Sequence, residues 1–166
     1  MRTSPFTPTA FIVLGLAFEA PAATFTVRPG SDDDCSDFDC RLAAALDAAV
    51  ENTEDDTLRL AEGTFVAEPA FTYDAVGRPS SSRALVIEGA GADRTVLRGG
   101  DAATAVELRT SGDATADLTL RNLTVDVTPA ITSEPRGRVR MVARHGDLLL
   151  AGVRVEGAGG VPARGI

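Results

Sequence analysis

Residues 118–127 read LTLRNLTVDV, and residues 148–157 read LLLAGVRVEG. Laid over one another without a gap, they pair Leu118 with Leu148, Leu120 with Leu150, Leu123 with Val153 and Val125 with Val155. Apolar residues two apart mark a strand with one buried face. The same break in phase interrupts both stretches, at Asn122 and Gly152. Asn and Gly tolerate φ > 0, so the backbone is expected to bend there between two strands.

Working outward, similar apolar runs recur. Leu58-Arg59-Leu60, Leu85-Val86-Ile87, Leu118-Thr119-Leu120 and Leu148-Leu149-Leu150 begin 27, 33 and 30 residues apart, and Gly89 holds the same offset after Leu85 as the two bends do. A strand, a sharp bend and a second strand every ~30 residues predict a solenoid of parallel strands. Pro, Gly, Ser and Asp gather in Thr72–Arg83, Thr110–Asp117 and Thr128–Arg138, each ahead of an apolar run. Loops at one phase of a repeat emerge on one side of the stack. A sandwich of antiparallel hairpins is the competing architecture, and it explains the register of the bends less well.

Composition narrows the function. The chain has 166 residues, 44% hydrophobic and 24% charged, which suits a single domain with a core. Its net charge is −8, and with no Lys every basic residue is Arg. That balance argues against nucleic acid and anionic membranes, which need clustered cations. Aromatics make up 5% and Trp is absent, against a stacking platform for bases or sugars.

The first 22 residues read as a signal peptide. Arg2 supplies the positive start, residues 10–18 (AFIVLGLAF) form a nine-residue apolar run, and Ala20-Pro21-Ala22 offers small residues to a peptidase. A membrane span needs about 20 apolar residues, so no span is expected in the mature chain. Cleavage would leave Ala23 or Thr24 first, and the protein is expected to be secreted or held at the cell surface, outside the cytoplasm. Cys35 and Cys40 are the only cysteines. In an oxidising compartment they are expected to close a small disulfide loop. The alternative, a zinc site, lacks a second Cys or His pair.

Thr24–Val27 alternates as a strand, and Pro29-Gly30 ends it. Asp32, Asp33, Asp34, Asp37 and Asp39 follow. Their carboxylates would suit calcium, though no calcium motif is present and no cofactor is expected. The simpler reading is helix-entry chemistry, with Ser36 and Asp39 as a capping box. Phe38, Leu42, Ala45, Leu46, Ala49 and Val50 then share one face of an amphipathic helix that Asn52 terminates.

Three stretches resemble exported bacterial right-handed parallel β-helix proteins of the pectin-lyase-like group. Residues 40–46 (CRLAAAL) resemble the family's C-x-L-R-[ED]-A-[IL] helix, with Ala43 and Ala44 replacing its Arg and acidic residue. Residues 56–65 (DTLRLAEGTF) resemble its D-T-[IL]-x-L-x-x-G-T-[YF] strand pair, and residues 85–99 (LVIEGAGADRTVLRG) resemble its L-x-I-x-G-x-G coil. The resemblance implies a right-handed β-helix of four to five coils over residues 57–166. Residues 23–56 would then supply the first strand and an amphipathic capping helix over the solenoid's apolar end, with the disulfide holding the loop that leads into it. Residues 159–166 (GGVPARGI) show no second cap, so the chain is expected to be the front of a longer solenoid or to have its last coil covered by another molecule.

Two functional classes follow. One is a non-catalytic binding, adhesive or scaffold solenoid whose partner is a polysaccharide or a surface protein. The other is the N-terminal part of a lyase or hydrolase acting on acidic polysaccharide. A lyase needs a base plus Arg or calcium against a uronate, and a hydrolase needs two spaced carboxylates. Asp113, Asp117 and Asp126 are the candidate carboxylates, and Arg121, Arg154 and His145 the candidate cations or bases. Arg136 and Arg138 join Asp113 and Asp117 as loop residues able to meet a ligand. None forms a motif, and each also fits a solvated position alternating with the core. Asn122-Leu123-Thr124 matches a glycosylation triplet but lies at the expected bend.

Overall fold

A computed structural model describes residues 22–30, 39–67, 70–99, 105–111, 116–127 and 139–157. The chain runs β1 (Ala22–Val27), β2 (Asp39–Cys40), α1 (Leu42–Glu51), β3 (Asp55–Leu60), β4 (Gly63–Val66), β5 (Phe71–Asp74), a 3₁₀ turn (Pro79–Ser82), β6 (Leu85–Gly89), β7 (Thr95–Arg98), β8 (Val106–Thr110), β9 (Leu118–Val127), β10 (Val139–Ala143) and β11 (Leu148–Gly157). Every strand pair is parallel, which excludes the antiparallel sandwich.

The strands stack as a β-solenoid of about three turns. One face is built from β1, β3, β6 and the first half of β9, with β11 beyond it. The second is built from β4, β7 and the second half of β9. The third is β5, β8 and β10. Four to five coils were expected from the repeats. Complete turns number fewer because, among the described residues before α1, only the first face gains strands, and β11 supplies the first two faces.

The third face was not foreseen. Residues 72–83 read as a loop, yet Phe71–Asp74 is a strand with Phe71 and Tyr73 buried. The signal was there in the alternation of Phe-Thr-Tyr-Asp, Val-Glu-Leu-Arg-Thr and Val-Arg-Met-Val-Ala, but Gly, Pro and Ser nearby obscured it.

In-register pairing turns the repeat into columns. Phe25, Leu58, Ile87, Leu120 and Leu150 are successive partners, as are Phe65, Leu97, Val125 and Val155. On the third face Tyr73, Leu108 and Met141 align. Leu58, Leu85, Leu97, Leu108, Leu118 and Leu120 are fully buried. Leu148 and Leu150 occupy the expected register, but they are 49% and 54% exposed rather than enclosed. Among the described residues no strand pairs with the far edge of β11, so their column is covered on one side only.

Asn122 and Gly152 both adopt the left-handed conformation, with φ of 56° and 62°, and each bends a ten-residue strand around a corner. Gly89 shares their offset but not their φ. It is glycine for space: a Cβ there would collide with the Asn122 carbonyl and lie 2.8 Å from Leu123 Cβ.

Helix α1 buries Leu42, Ala45, Leu46 and Ala49 and packs chiefly against β5 and the 3₁₀ turn. Because β5 ends its sheet, the helix covers an otherwise open end of the stack. Its start differs from expectation. Asp39 and Cys40 pair with Thr26 and Val27 of β1, and Arg41 is the N-cap with no side-chain cap bond. The open edge of β1 offers backbone partners at that point, so pairing displaces the proposed Ser36–Asp39 capping box. Asn52 ends the helix, donating its N–H to the Ala48 carbonyl. Phe38, Ser36 and Cys35 lie outside the described residues, and with them the Cys35–Cys40 pairing.

Two substitutions test this packing by chemical denaturation. Leu120→Ala should cost about 2–5 kcal/mol, as for a packed core leucine. Leu150→Ala, half-exposed, should cost far less, and equal losses would contradict the described stack. Gly89→Ala should destabilise by about 1–3 kcal/mol through overpacking against backbone that cannot give way. A neutral Gly89→Ala would show that the corner has room.

Candidate functional site

Outward side chains alternate with the core and stack about 4.8 Å apart, the strand spacing. Opposite charges on adjacent coils therefore meet. On the first face Arg59, Glu88 and Arg121 share a row, and Arg121 Nη2 donates to Glu88 Oε2 at 2.9 Å. Asn122 Nδ2 reaches Glu88 Oε1 at 3.5 Å. On the second face Arg98 Nε donates to Asp126 Oδ2 at 2.9 Å, and Arg154 Nη1 bonds Asp93 Oδ1 at 2.7 Å. On the third, Arg109 pairs with Asp74 at 3.0 Å, and Arg140 pairs with Glu107. All but one of these pairs link neighbouring coils; Arg154 reaches past the β9 coil to Asp93, in the loop before β7. The exposed pairs are worth about 0–1 kcal/mol each, and Arg121–Glu88 is partly buried.

The expected site residues mostly fall into this framework. Arg121, Asp126 and Arg154 belong to the ion-pair rows. Asp117 stands just before β9, where its Oδ1 accepts the Asp147 N–H at 2.8 Å and its carbonyl accepts the Leu85 N–H at 2.9 Å. One coil position repeats this arrangement: Asp55 Oδ1 accepts the Ala84 N–H at 2.9 Å, also one residue ahead of a strand's first core position. Asp117 is thus a bracket between coils. His145 is exposed, and its carbonyl accepts the Ala116 N–H at 2.9 Å. Asp113, Arg136 and Arg138 lie outside the described residues, as does the acidic stretch 32–37. Among the described residues no group of three or more His, Cys, Asp or Glu could hold a metal ion.

Chemically, the rows are better suited to holding coils together than to proton transfer. Acid–base work on a glycan requires a carboxylate that can approach the substrate. Both Glu88 oxygens already accept hydrogen bonds, from Arg121 and Asn122, and Asp126 already pairs with Arg98.

Two features escaped the sequence reading. The first is a cavity of about 580 Å³ where β1 leaves the stack beside the start of α1. Arg28 and Arg41 stand on its wall, neither without a partner, above an apolar side formed by Leu42, Phe65 and Phe71. The only trace of it in the sequence is that these two arginines bracket the acidic stretch. The second is Asp56 in β3, a buried carboxylate whose pKa is pushed up to about 6, chiefly by burial. Burial also raises the Tyr73 hydroxyl.

No protein-family model matches this chain, and no curated protein or solved structure is significantly similar to it.

Proposed function

We propose that the chain is an exported bacterial protein of the pectin-lyase-like kind whose solenoid is a non-catalytic binding or scaffold surface. One observation carries this reading: Arg98, Arg109, Arg121, Arg140 and Arg154 each pair with a carboxylate from another coil or its loop. Such a wall presents shape, with most of these charges already paired. The signal-like residues 1–22 and the cysteine pair support an extracytoplasmic location, with a polysaccharide or a surface protein as the partner. The net charge of −8 disfavours polyanions, so neutral glycans and proteins are the better partners.

The purified chain should release neither unsaturated products nor reducing ends from pectate, alginate or neutral glucans in the presence of calcium. Turnover that disappears in Arg121→Ala or His145→Ala would replace this reading with an enzymatic one. N-terminal sequencing of protein recovered from the medium should begin at Ala23 or Thr24. An intact Met1 in a cytoplasmic fraction would refute export.

A further inference from the structure

We propose that Asp56 is a proton-operated latch between helix α1 and the first coil, closing the junction when protonated and loosening it when charged. The position itself is the first argument. Asp56 lies in a core column whose members are Ala23, Asp56, Leu85 and Leu118. A carboxylate therefore stands where the neighbouring coils place apolar groups, and it is only 2% exposed.

Its hydrogen bonding is half complete. Oδ1 accepts from Asn52 Nδ2 at 2.9 Å, while Oδ2 is buried without a partner. Asn52 is the C-cap of α1, and its own Oδ1 accepts the Glu54 N–H at 3.0 Å. One side-chain contact thus ties the helix end to the strand that begins the first complete turn. A second tie lies alongside: Ser80 Oγ donates to the Val50 carbonyl at 2.7 Å, and Tyr73 donates to the Ser80 carbonyl at 3.5 Å.

The surroundings favour the neutral acid. Glu54 and Asp55 precede Asp56 in the chain and repel its charge, and β5 contributes the Tyr73 hydroxyl. Helix α1 and the 3₁₀ turn bring the uncharged Asn52 and Ser80 to this junction, while β1 and β6 set Ala23 and Leu85 beside it in register. A buried charge with one hydrogen bond and no cation is costly. Burial is the largest cause of the shift from 3.8 to about 6, the Asn52 hydrogen bond opposes it, and Glu54 and Asp55 add to it.

The sign follows from linkage. The folded state holds the proton more tightly than the unfolded chain does. The stabilisation is therefore fully present below the ordinary carboxylate pKa and is lost as pH rises through about 6. A rise from 3.8 to about 6 corresponds to a change on the order of 100-fold in the folding equilibrium. The helix is seated most firmly in mildly acidic surroundings.

The test uses the full chain between pH 4 and pH 7.5. Denaturation should show the wild type losing on the order of 100-fold in its folding constant relative to Asp56→Asn over this range. Amide exchange in α1 should quicken over the same range more than in β9. Asp55→Asn, which removes a neighbouring charge while leaving an amide oxygen to accept the Ala84 N–H, should keep most of the pH dependence. Carboxyl-carbon NMR of the unmodified protein supplies a readout that needs no variant, and Asp56 should titrate near 6. A midpoint near 4, or an Asp56→Asn variant with the wild-type pH dependence, would overturn the latch.

Discussion

Everything in this molecule depends on parallel, in-register hydrogen bonding between successive coils. Once Leu58 pairs with Ile87 and Ile87 with Leu120, each coil position is forced to stack on its like. Core residues then form columns, and outward residues form rows at strand spacing. Opposite charges 28 to 35 residues apart in sequence become neighbours, as Glu88 and Arg121 do. The same constraint makes Asn122 and Gly152 align at the corner, and it makes Gly89 the one residue that can pass beneath the Asn122 carbonyl.

That geometry leaves the ends of the stack as its weak points. At one end α1 covers β5 with a stripe of Leu and Ala. It is held there by apolar packing and by side-chain contacts that include Asn52 to Asp56, Ser80 to Val50 and the exposed ion pair of Glu51 with Arg78. Placing a carboxylate at this seam exposes the junction to pH, whereas the aliphatic columns beyond it are indifferent to protons. At the β11 end Leu148, Leu150 and Val155 remain about half exposed among the described residues.

The two strands that decide the fold were legible because Leu118–Val127 and Leu148–Gly157 repeat without a gap and share their bend. The core columns of the first face followed from the same alternation. The third face was not legible: β5 is four residues long and sits among Gly, Pro and Ser, so turn chemistry outweighed a two-residue period. The start of α1 was misjudged because a local capping pattern competes with a non-local partner, the edge of β1, which no local reading can see. The ion-pair rows were hidden for a related reason. Arg121 looked like a lone cation until stacking brought Glu88 beside it. Asp56 was readable only as part of a resemblance, because its burial comes from three different segments of chain.

The most direct test of the central claim is to read strand direction and register by NMR in isotopically labelled protein. Parallel pairing predicts amide-to-α-proton contacts linking Leu58 with Ile87 and Ile87 with Leu120, and likewise Leu97 with Val125, with no close α-to-α pairs between these strands. Close α-to-α contacts between any of them would mean antiparallel pairing, and the columns, the charged rows and the seat of the helix would all fall with it.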